Sequence, residues 1–344
     1  MSGYREQVAA VLAAAHVHSR TGYSWFGQRI SPLPEAAEKA MSADTARRYL
    51  RHCLQSKLYD DFYCQGSAAA AAQAPGIADM PRFTPFADAL SAANTGQGSR
   101  EEGWQVRAVQ DGQVVVERHQ LRLWVAAAEV VTAGGSRPEA GDMVSVRLPK
   151  ELLKLSPGFY MALGDEGLPC HDAEPLVRFY WNLESDTAPR LVRELTGRLN
   201  QARIPFRLKV VNDHRRYTRC DAGVLYVPRR HYPTVVAVVR TVHGAVRDGL
   251  APQTPALTKQ LAPGLGLAEE PPGGDSFGTH RCGLLADGII RAHEQGRRSL
   301  ADRMQVIADR LEEDGISLDA PFLNPGSCDV YLFAAPAPSQ RAVR

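Results

Sequence analysis

Residues 176–183, with the sequence LVRFYWNL, decide the fold because they combine a strand pattern with basic and aromatic side chains. Side chains alternate across a β-strand, so Arg178 and Tyr180 share one face while Phe179 and Trp181 share the other. We expect the apolar second face to lie in the core. The first face is then available for polar chemistry.

The segments that follow extend this strand into a sheet with helices. Leu191, Leu195 and Leu199 recur every fourth residue, which predicts a helix with a buried stripe, and the whole unit reads β-α-β. The further predicted elements are strands at 206–211 and 222–227, helices at 233–246, 282–296 and 299–313, a Pro- and Gly-rich segment at 251–281 and a last strand near 329–334.

The N-terminal half has a different pattern. Helical spacing of apolar residues predicts helices over 1–65, and residues 66–100 have the composition of a linker. Asp111-Gly112 supplies the positive φ angles of a hairpin turn, with strands on either side. The chain is therefore predicted to be α+β, with a helical region and linker at 1–99, a small β-rich module at 100–169, a C-terminal α+β catalytic domain whose sheet bears a basic face at 170–335, and a disordered tail at 336–344.

Composition excludes several classes of protein. Forty Lys and Arg against 38 Asp and Glu leave a net charge of +2, too small for a bulk nucleic-acid binder, and 44% hydrophobic residues exclude a disordered chain. No apolar stretch reaches the ~20 residues of a membrane span, and the N-terminus does not resemble a secretory signal, so we expect a cytoplasmic protein. Six cysteines without a C-x-x-C pair predict reduced thiols, and neither a metal nor a cofactor is expected.

Basic residues recur on the polar side of three neighbouring segments. Arg178 lies in the first strand, Arg207 and Lys209 lie opposite the apolar face of the second, and Arg219 precedes the third. If these strands are close in the sheet, the cations meet on a common surface. Two interpretations fit this pattern, a functional cationic site and an ordinary solvated sheet face.

Five segments carry a resemblance to a known family: 178–183 (RFYWNL), 204–213 (IPFRLKVVND), 219–227 (RCDAGVLYV), 258–269 (TKQLAPGLGLAE) and 276–282 (SFGTHRC). They resemble the Hop-A-like family of type III effector homologues over roughly 170–335, and 58–63 looks similar less specifically. In bacteria that do not secrete effectors, members resemble the lyase component of split dehydratases for lanthipeptide or thioamide-bearing precursor peptides. The resemblance implies that a separate kinase-like partner first phosphorylates Ser or Thr of the precursor.

A second, more distant similarity is to the bacterial phosphothreonine lyases, whose sites combine a Lys-x-His strand with a later lysine and arginines. On that comparison Arg178 takes the place of a phosphate-binding lysine, Tyr180 that of the general-acid histidine, and Lys209 that of the general-base lysine. Arg219 matches the first arginine, and Arg281 matches a later phosphate-binding one. The chain departs from the motif in having Arg-x-Tyr where that family has Lys-x-His.

The residue types suit β-elimination of phosphate. A base must remove the weakly acidic α-proton, and a fixed positive field must stabilise the departing phosphate. Neighbouring cations would lower the pKa of Lys209 and make it the base, while Tyr180 or His280 would donate a proton or hydrogen bond. The predicted phosphate-binding residues are Arg178, Arg207, Arg219, Lys259 and Arg281.

The sequence thus predicts a metal-independent lyase that converts phosphoserine or phosphothreonine of a ribosomally made precursor peptide into dehydroalanine or dehydrobutyrine. Its expected partners are the precursor peptide and the kinase-like protein, with no nucleic acid and no membrane. The alternative is a non-catalytic protein that uses the basic face to bind a phosphopeptide or to scaffold the kinase. The tyrosine at the acid position keeps that alternative open. A third possibility is an enzyme that acts on another phosphorylated substrate.

Overall fold

The computed structural model describes residues 3–30, 33–66, 85–167 and 174–333. The helices are α1 Gly3–Ala14, α2 Glu35–Ala40, α3 Ala43–Leu58, α4 Pro85–Ala93, α5 Ala188–Gln201, α6 Tyr232–Val246, α7 Phe277–Glu294 and α8 Leu300–Glu313. The strands are β1 Ala15–Val17, β2 Tyr23–Trp25, β3 Gln28–Ile30, β4 Arg100–Gln110, β5 Gln113–Arg118, β6 Leu121–Ala126, β7 Val130–Val131, β8 Met143–Arg147, β9 Glu151–Leu152, β10 Phe159–Leu163, β11 Leu176–Trp181, β12 Arg207–Val211, β13 Gly223–Pro228, β14 Lys259–Ala262 and β15 Leu265–Glu269.

A seven-stranded sheet organises the C-terminal half. Its strand order is β14-β15-β11-β13-β12-β10-β9, and all neighbouring pairs are antiparallel. The predicted strands β11, β12 and β13 and the helix between the first two are confirmed, and β13 inserts between β11 and β12. The predicted α+β class is confirmed. None of the helices in the described ranges is long and apolar enough to cross a membrane.

Both faces of β11 are covered. On one face, the ring of Phe179 stacks on Tyr232 of α6 with centroids 6.0 Å apart. On the other, the Tyr180 ring contacts Tyr63 and Phe277, each at 6.3 Å between centroids. Tyr63 ends a π-helical turn that follows α3, and Phe277 begins α7. The interpretation of this face as a solvated sheet surface is therefore wrong at β11, where Arg178 is only 5% exposed.

The described residues form two hydrophobic cores, whereas the sequence predicts three modules. The helices α1 and α3 share one core with the seven-stranded sheet, whereas the five-stranded sheet β6-β5-β4-β8-β7 has a small core of its own around Trp104. The predicted Asp111-Gly112 hairpin connects β4 and β5, as expected. The strands β9 and β10 belong to the larger sheet, so the change of sheet falls near 150, whereas the predicted module boundary lies at 169.

Several local predictions are corrected. The N-terminal region contains the small sheet β1-β2-β3, and the predicted linker contains α4. The Pro- and Gly-rich segment includes the hairpin β14–β15, whose turn holds Gly264 at a φ of 71°, a value that favours glycine. Helix α7 begins at 277 because the Ser276 hydroxyl accepts from the Thr279 amide as an N-cap. Residues 329–333 form no strand, and the predicted disordered tail lies outside the described residues.

Candidate functional site

The register of the sheet places the predicted cations in two rows on one face. Arg178 pairs with Tyr226 of β13, which pairs with Arg207 of β12. In the next row, Tyr180 of β11 and Lys209 of β12 both pair with Val224 of β13. Directly paired residues point to the same face, and strands ~4.8 Å apart put the two outer backbones roughly 10 Å from each other. Long side chains from β11 and β12 can therefore meet over β13.

A buried ion pair holds Arg178. Its Nε and Nη2 donate to the two carboxylate oxygens of Glu270, and the two side chains are 6% and 7% exposed. The guanidinium groups of Arg178 and Arg207 lie over the Tyr226 ring, 4.8 and 4.1 Å from its centroid. Burial lowers the pKa of Arg207, and its Nε has no hydrogen-bond partner in the described part of the chain. The Tyr226 ring thus lies between two guanidinium groups. That of Arg178 is ion-paired, and that of Arg207 has no ion pair among the described residues.

Arg219 is held in the same way. Its Nε and Nη2 donate to the carboxylate of Asp221 at 2.5 and 2.8 Å. Its Nη2 also contacts the Tyr59 hydroxyl and the Cys64 sulfur, each at 3.2 Å, at the π-helical turn after α3. Burial acts to raise the pKa of Asp221, but Arg219 outweighs it and the pKa is lowered, so the carboxylate stays ionised. As in Arg178, a carboxylate occupies one edge of the guanidinium.

Lys209 differs from these arginines because no carboxylate among the described residues pairs with it. Its Nζ lies 3.8 Å from the centroid of the Phe159 ring, which Arg219 also approaches at 5.6 Å. Burial lowers the pKa of Lys209, and Arg219 acts in the same direction while Asp221 opposes it. A larger fraction of this amine is therefore neutral near pH 7 than in a free lysine.

The Tyr180 hydroxyl is buried beside Tyr63 and Arg178. Its side chain is 1% exposed, and its oxygen forms no hydrogen bond of good geometry with the described residues, although both neighbours are close enough to influence its pKa. Burial is the main reason that the pKa of Tyr180 rises to about 12, with Arg178 acting against it. The hydroxyl is protonated at neutral pH, and a buried polar group left unsatisfied costs about 1–3 kcal/mol. A ligand oxygen would supply the missing acceptor.

Sequence reasoning missed the residues that frame these cations. Glu270 follows another glutamate, and only the register of β15 against β11 shows that Glu270 shares the face of Arg178. Arg216 is a further buried arginine whose Nε and Nη1 have no partner in the described ranges. Burial, followed by Arg219, lowers the pKa of Arg216. The signal for Tyr59 was the weaker family likeness at 58–63.

Two predicted residues lie elsewhere. Lys259 pairs with Leu267 and through it with Phe179, so it belongs to the opposite face of the sheet. Its Nζ bonds both carboxylate oxygens of Asp329 at 2.7 and 2.6 Å. Burial lowers the pKa of His280, and the other charges that influence it come from α7, α8 and the loops beside them. Neither residue joins the two rows.

The donors of Arg281 are used by the protein itself. Its Nε and Nη2 donate to the carbonyl oxygens of Pro321 and Leu323 at 2.8 Å, and its Nη1 lies 2.8 Å from Nδ1 of His280. The side chain is fully buried, and burial lowers the pKa of Arg281 to about 10. Arg281, predicted to bind phosphate, therefore forms hydrogen bonds that connect residues 321–323 to α7.

The site keeps a net positive charge after its ion pairs are counted. The basic cluster consists of Arg178, Arg207, Lys209 and Arg219, and its ion-paired carboxylates are Glu270 and Asp221. Four positive charges against two negative charges leave a surplus of two when the lysine is protonated. The surplus is one when the lysine is neutral, so the cluster stays cationic in both states and attracts a phosphate monoester, whose oxygens suit guanidinium donors. No group of three or more potential metal ligands occurs in the described ranges.

A family model covers the half of the chain that contains this cluster. The HopA1 effector protein family matches residues 152–323, half of the 344-residue chain, and this span contains the whole cluster. Among solved structures, the effector protein from Pseudomonas syringae pv. tomato strain DC3000 is 17% identical with a TM-score of 0.46, over 84% of this chain and 94% of that one. The effector protein from Pseudomonas syringae pv. syringae strain 61 is 13% identical with a TM-score of 0.44, over 78% and 88%. No curated protein matches the chain.

Proposed function

The chain belongs to the HopA1 effector protein family, as its sequence resemblance predicted, and we propose that it is a lyase acting on phosphoserine or phosphothreonine of a precursor peptide. The products would be dehydroalanine or dehydrobutyrine and inorganic phosphate. One observation carries the proposal. Lys209 is an amine with a lowered pKa and no carboxylate partner in the described chain, on the same sheet face as three arginines.

The arginines supply the fixed positive field. Glu270 and Asp221 hold Arg178 and Arg219 by one edge of each guanidinium, so these groups are oriented before the substrate arrives. Such preorganised charge stabilises the negative charge that develops on the leaving phosphate. The unpartnered Nε of Arg207 adds a further donor from the neighbouring strand.

The elimination is written as follows for this site. The neutral Nζ of Lys209 takes the α-proton, the released electron pair forms the Cα=Cβ double bond, and the Cβ–O bond breaks with its electrons on phosphate. Tyr180, whose hydroxyl is protonated at neutral pH, donates a hydrogen bond to the leaving oxygen or to the enolate oxygen. Electrons are balanced within the substrate, so the step uses no redox partner.

The reaction requires an earlier phosphoryl transfer. A phosphoester must be made before it can be eliminated, so we propose a kinase-like protein as the partner that modifies Ser or Thr of the ribosomally made precursor. The basic cluster fits the phosphorylated product of that step in charge and donor geometry.

Mass spectrometry of a synthetic phosphoserine peptide tests the proposal. Incubation with the purified protein in EDTA should remove the elements of phosphoric acid and give a dehydroalanine that a thiol then traps. Lys209→Met keeps the length of the side chain and should lose this activity while still binding the peptide. Lys154→Met, at an exposed lysine outside the basic cluster, is the matched control and should remain active.

Other outcomes separate the rival functions. Conversion to serine instead of dehydroalanine would indicate a phosphatase. Tight binding without any change in mass, also in the presence of the kinase-like partner, would favour the phosphopeptide-binding or scaffolding alternative. Undiminished elimination by a folded Lys209→Met protein would remove the lysine from the mechanism.

A further inference from the structure

A second cationic surface lies at the C-terminal end of α7. A cavity of about 480 Å³ is lined there by basic and histidine side chains, and none of its described lining residues is acidic. These side chains are His16, His18, His293, Arg297, Arg298 and Arg303. None of them belongs to the basic cluster, so this is a separate site.

The fold uses only part of this charge. Both Nη atoms of Arg303 donate to the backbone, to the carbonyl oxygens of Leu12 and Ala15, and so join α8 to the end of α1. The side chains of Arg297 and Arg298 are exposed and form no ion pair or hydrogen bond within the described ranges. Two arginines therefore face the cavity without a structural role.

A second cavity adjoins the cationic one. It measures about 570 Å³ and shares Val17 and His293 with its neighbour. Leu50 and Ile290 contribute apolar surface, and its lining includes charged groups of both signs. The two cavities together form what we call the α7 groove. One end is cationic, and the other combines apolar surface with charged groups, including the carboxylates of Asp44 and Glu294.

The distance to the basic cluster follows from α7. Phe277 at the start of the helix packs on Tyr180, and His293 near its end lines both cavities. These two residues are 16 positions apart, which at 1.5 Å per residue is about 24 Å along the helix. An extended peptide covers this distance in roughly seven or eight residues.

We propose that the α7 groove binds an acidic segment of the same peptide whose phosphorylated residue reaches the basic cluster. Carboxylates would pair with Arg297 and Arg298, and apolar side chains of the segment would enter the adjoining cavity. Charge complementarity selects the acidic ligand. Neither cavity has a Phe, Tyr or Trp among its described lining residues, the large aromatic rings on which nucleobases stack, which favours peptide over nucleic acid. The identity of the ligand as the substrate rests on the proposed function.

Fluorescence anisotropy with a labelled peptide of glutamate and leucine tests the groove directly. The protein should bind this peptide, bind its glutamine analogue more weakly, and lose affinity as salt is raised. Arg297→Ala/Arg298→Ala should weaken binding roughly tenfold. The double variant Arg190→Ala/Arg193→Ala removes two exposed arginines of α5 and should bind normally. Equal affinity for both peptides, equal loss in both double variants, or preferential binding of a labelled oligonucleotide would overturn the proposal.

Kinetics then link the groove to the substrate. A phosphoserine peptide with an acidic segment about eight residues away should have a lower KM than its glutamine analogue, with the same kcat. Arg297→Ala/Arg298→Ala should abolish that difference. If KM is unchanged and elimination is normal, the groove proposal is refuted and the lyase proposal stands. If the protein binds the acidic peptide but eliminates nothing, the lyase proposal is refuted and the groove still binds acidic peptides.

Discussion

The ion pair between Arg178 and Glu270 allows a quantitative test of how the site is built. Within the described chain the Glu270 carboxylate bonds only to Arg178, while its backbone groups bond to Leu176 and Asn324. Glu270→Gln keeps the size of the side chain and removes its charge. The guanidinium is then left buried without its counter-charge.

The expected cost follows from the burial of this pair. Removing one partner of a buried ion pair destabilises a protein by about 3–5 kcal/mol, and we expect the lower end because glutamine retains one carbonyl acceptor. Arg291 and Glu313 form a matched control with similar two-point geometry, but their side chains are 29% and 51% exposed. Glu313→Gln should cost no more than about 1 kcal/mol.

Thermal unfolding followed by circular dichroism measures both effects. Glu270→Gln should lower Tm by several degrees more than Glu313→Gln. Because bound phosphate would restore negative charge beside Arg178, a phosphoserine peptide should raise the Tm of Glu270→Gln by more than that of the parent protein. Equal Tm values for the two variants would refute the buried pair, and an equal response to the peptide would show that phosphate does not reach Arg178.

Three further predictions follow from the site. The pKa of Lys209 is lowered, so kcat/KM for elimination should rise with pH as the amine loses its proton. The rise should level off below the ordinary lysine pKa of ~10.4. A flat pH profile would contradict the role of Lys209 as base. Tyr180→Phe removes a buried hydroxyl that forms no hydrogen bond of good geometry with the described residues, so unfolding should show stability unchanged or about 1 kcal/mol higher, while kcat falls roughly hundredfold if the hydroxyl assists the leaving group. Arg281→Ala should lower the free energy of unfolding in urea by about 3 kcal/mol or more, because the Arg281 donors bind two backbone carbonyls. A stable variant that loses only phosphopeptide affinity would support the phosphate-binding role that the sequence predicts.

Local periodicity was sufficient to predict the three strands β11, β12 and β13 of the seven-stranded sheet. The alternation in LVRFYWNL assigns Arg178 and Phe179 to opposite faces whatever packs on them. The register then places Arg207 and Lys209 on the face of Arg178, on the far side of β13. The same pattern could not show that the basic face is covered. That depends on Tyr63, more than a hundred residues away in the chain, whose ring packs against Tyr180.

Residue type alone could not separate ligand-binding arginines from structural ones. Arg219 and Arg281 look equivalent in the sequence, yet one is held by a carboxylate beside Lys209 and the other donates to carbonyl oxygens of a distant loop. Those carbonyls belong to residues 321 and 323, and no local pattern indicates that they return to α7. The difference between these two arginines therefore lies in their tertiary contacts and not in the chemistry of arginine.

The carboxylates explain how one face can hold several cations and still offer a base. Glu270 and Asp221 lower the cost of burying Arg178 and Arg219, and they fix the orientation of both guanidinium groups. Lys209 has no such partner in the described chain, so burial acts on its amine without an ion pair to counter it. Adding a carboxylate beside Lys209 would improve stability and remove the base, because the paired amine would stay protonated. Lys209 is therefore free to act as the base of the proposed elimination, while the paired Arg178 and Arg219 keep fixed orientations beside it.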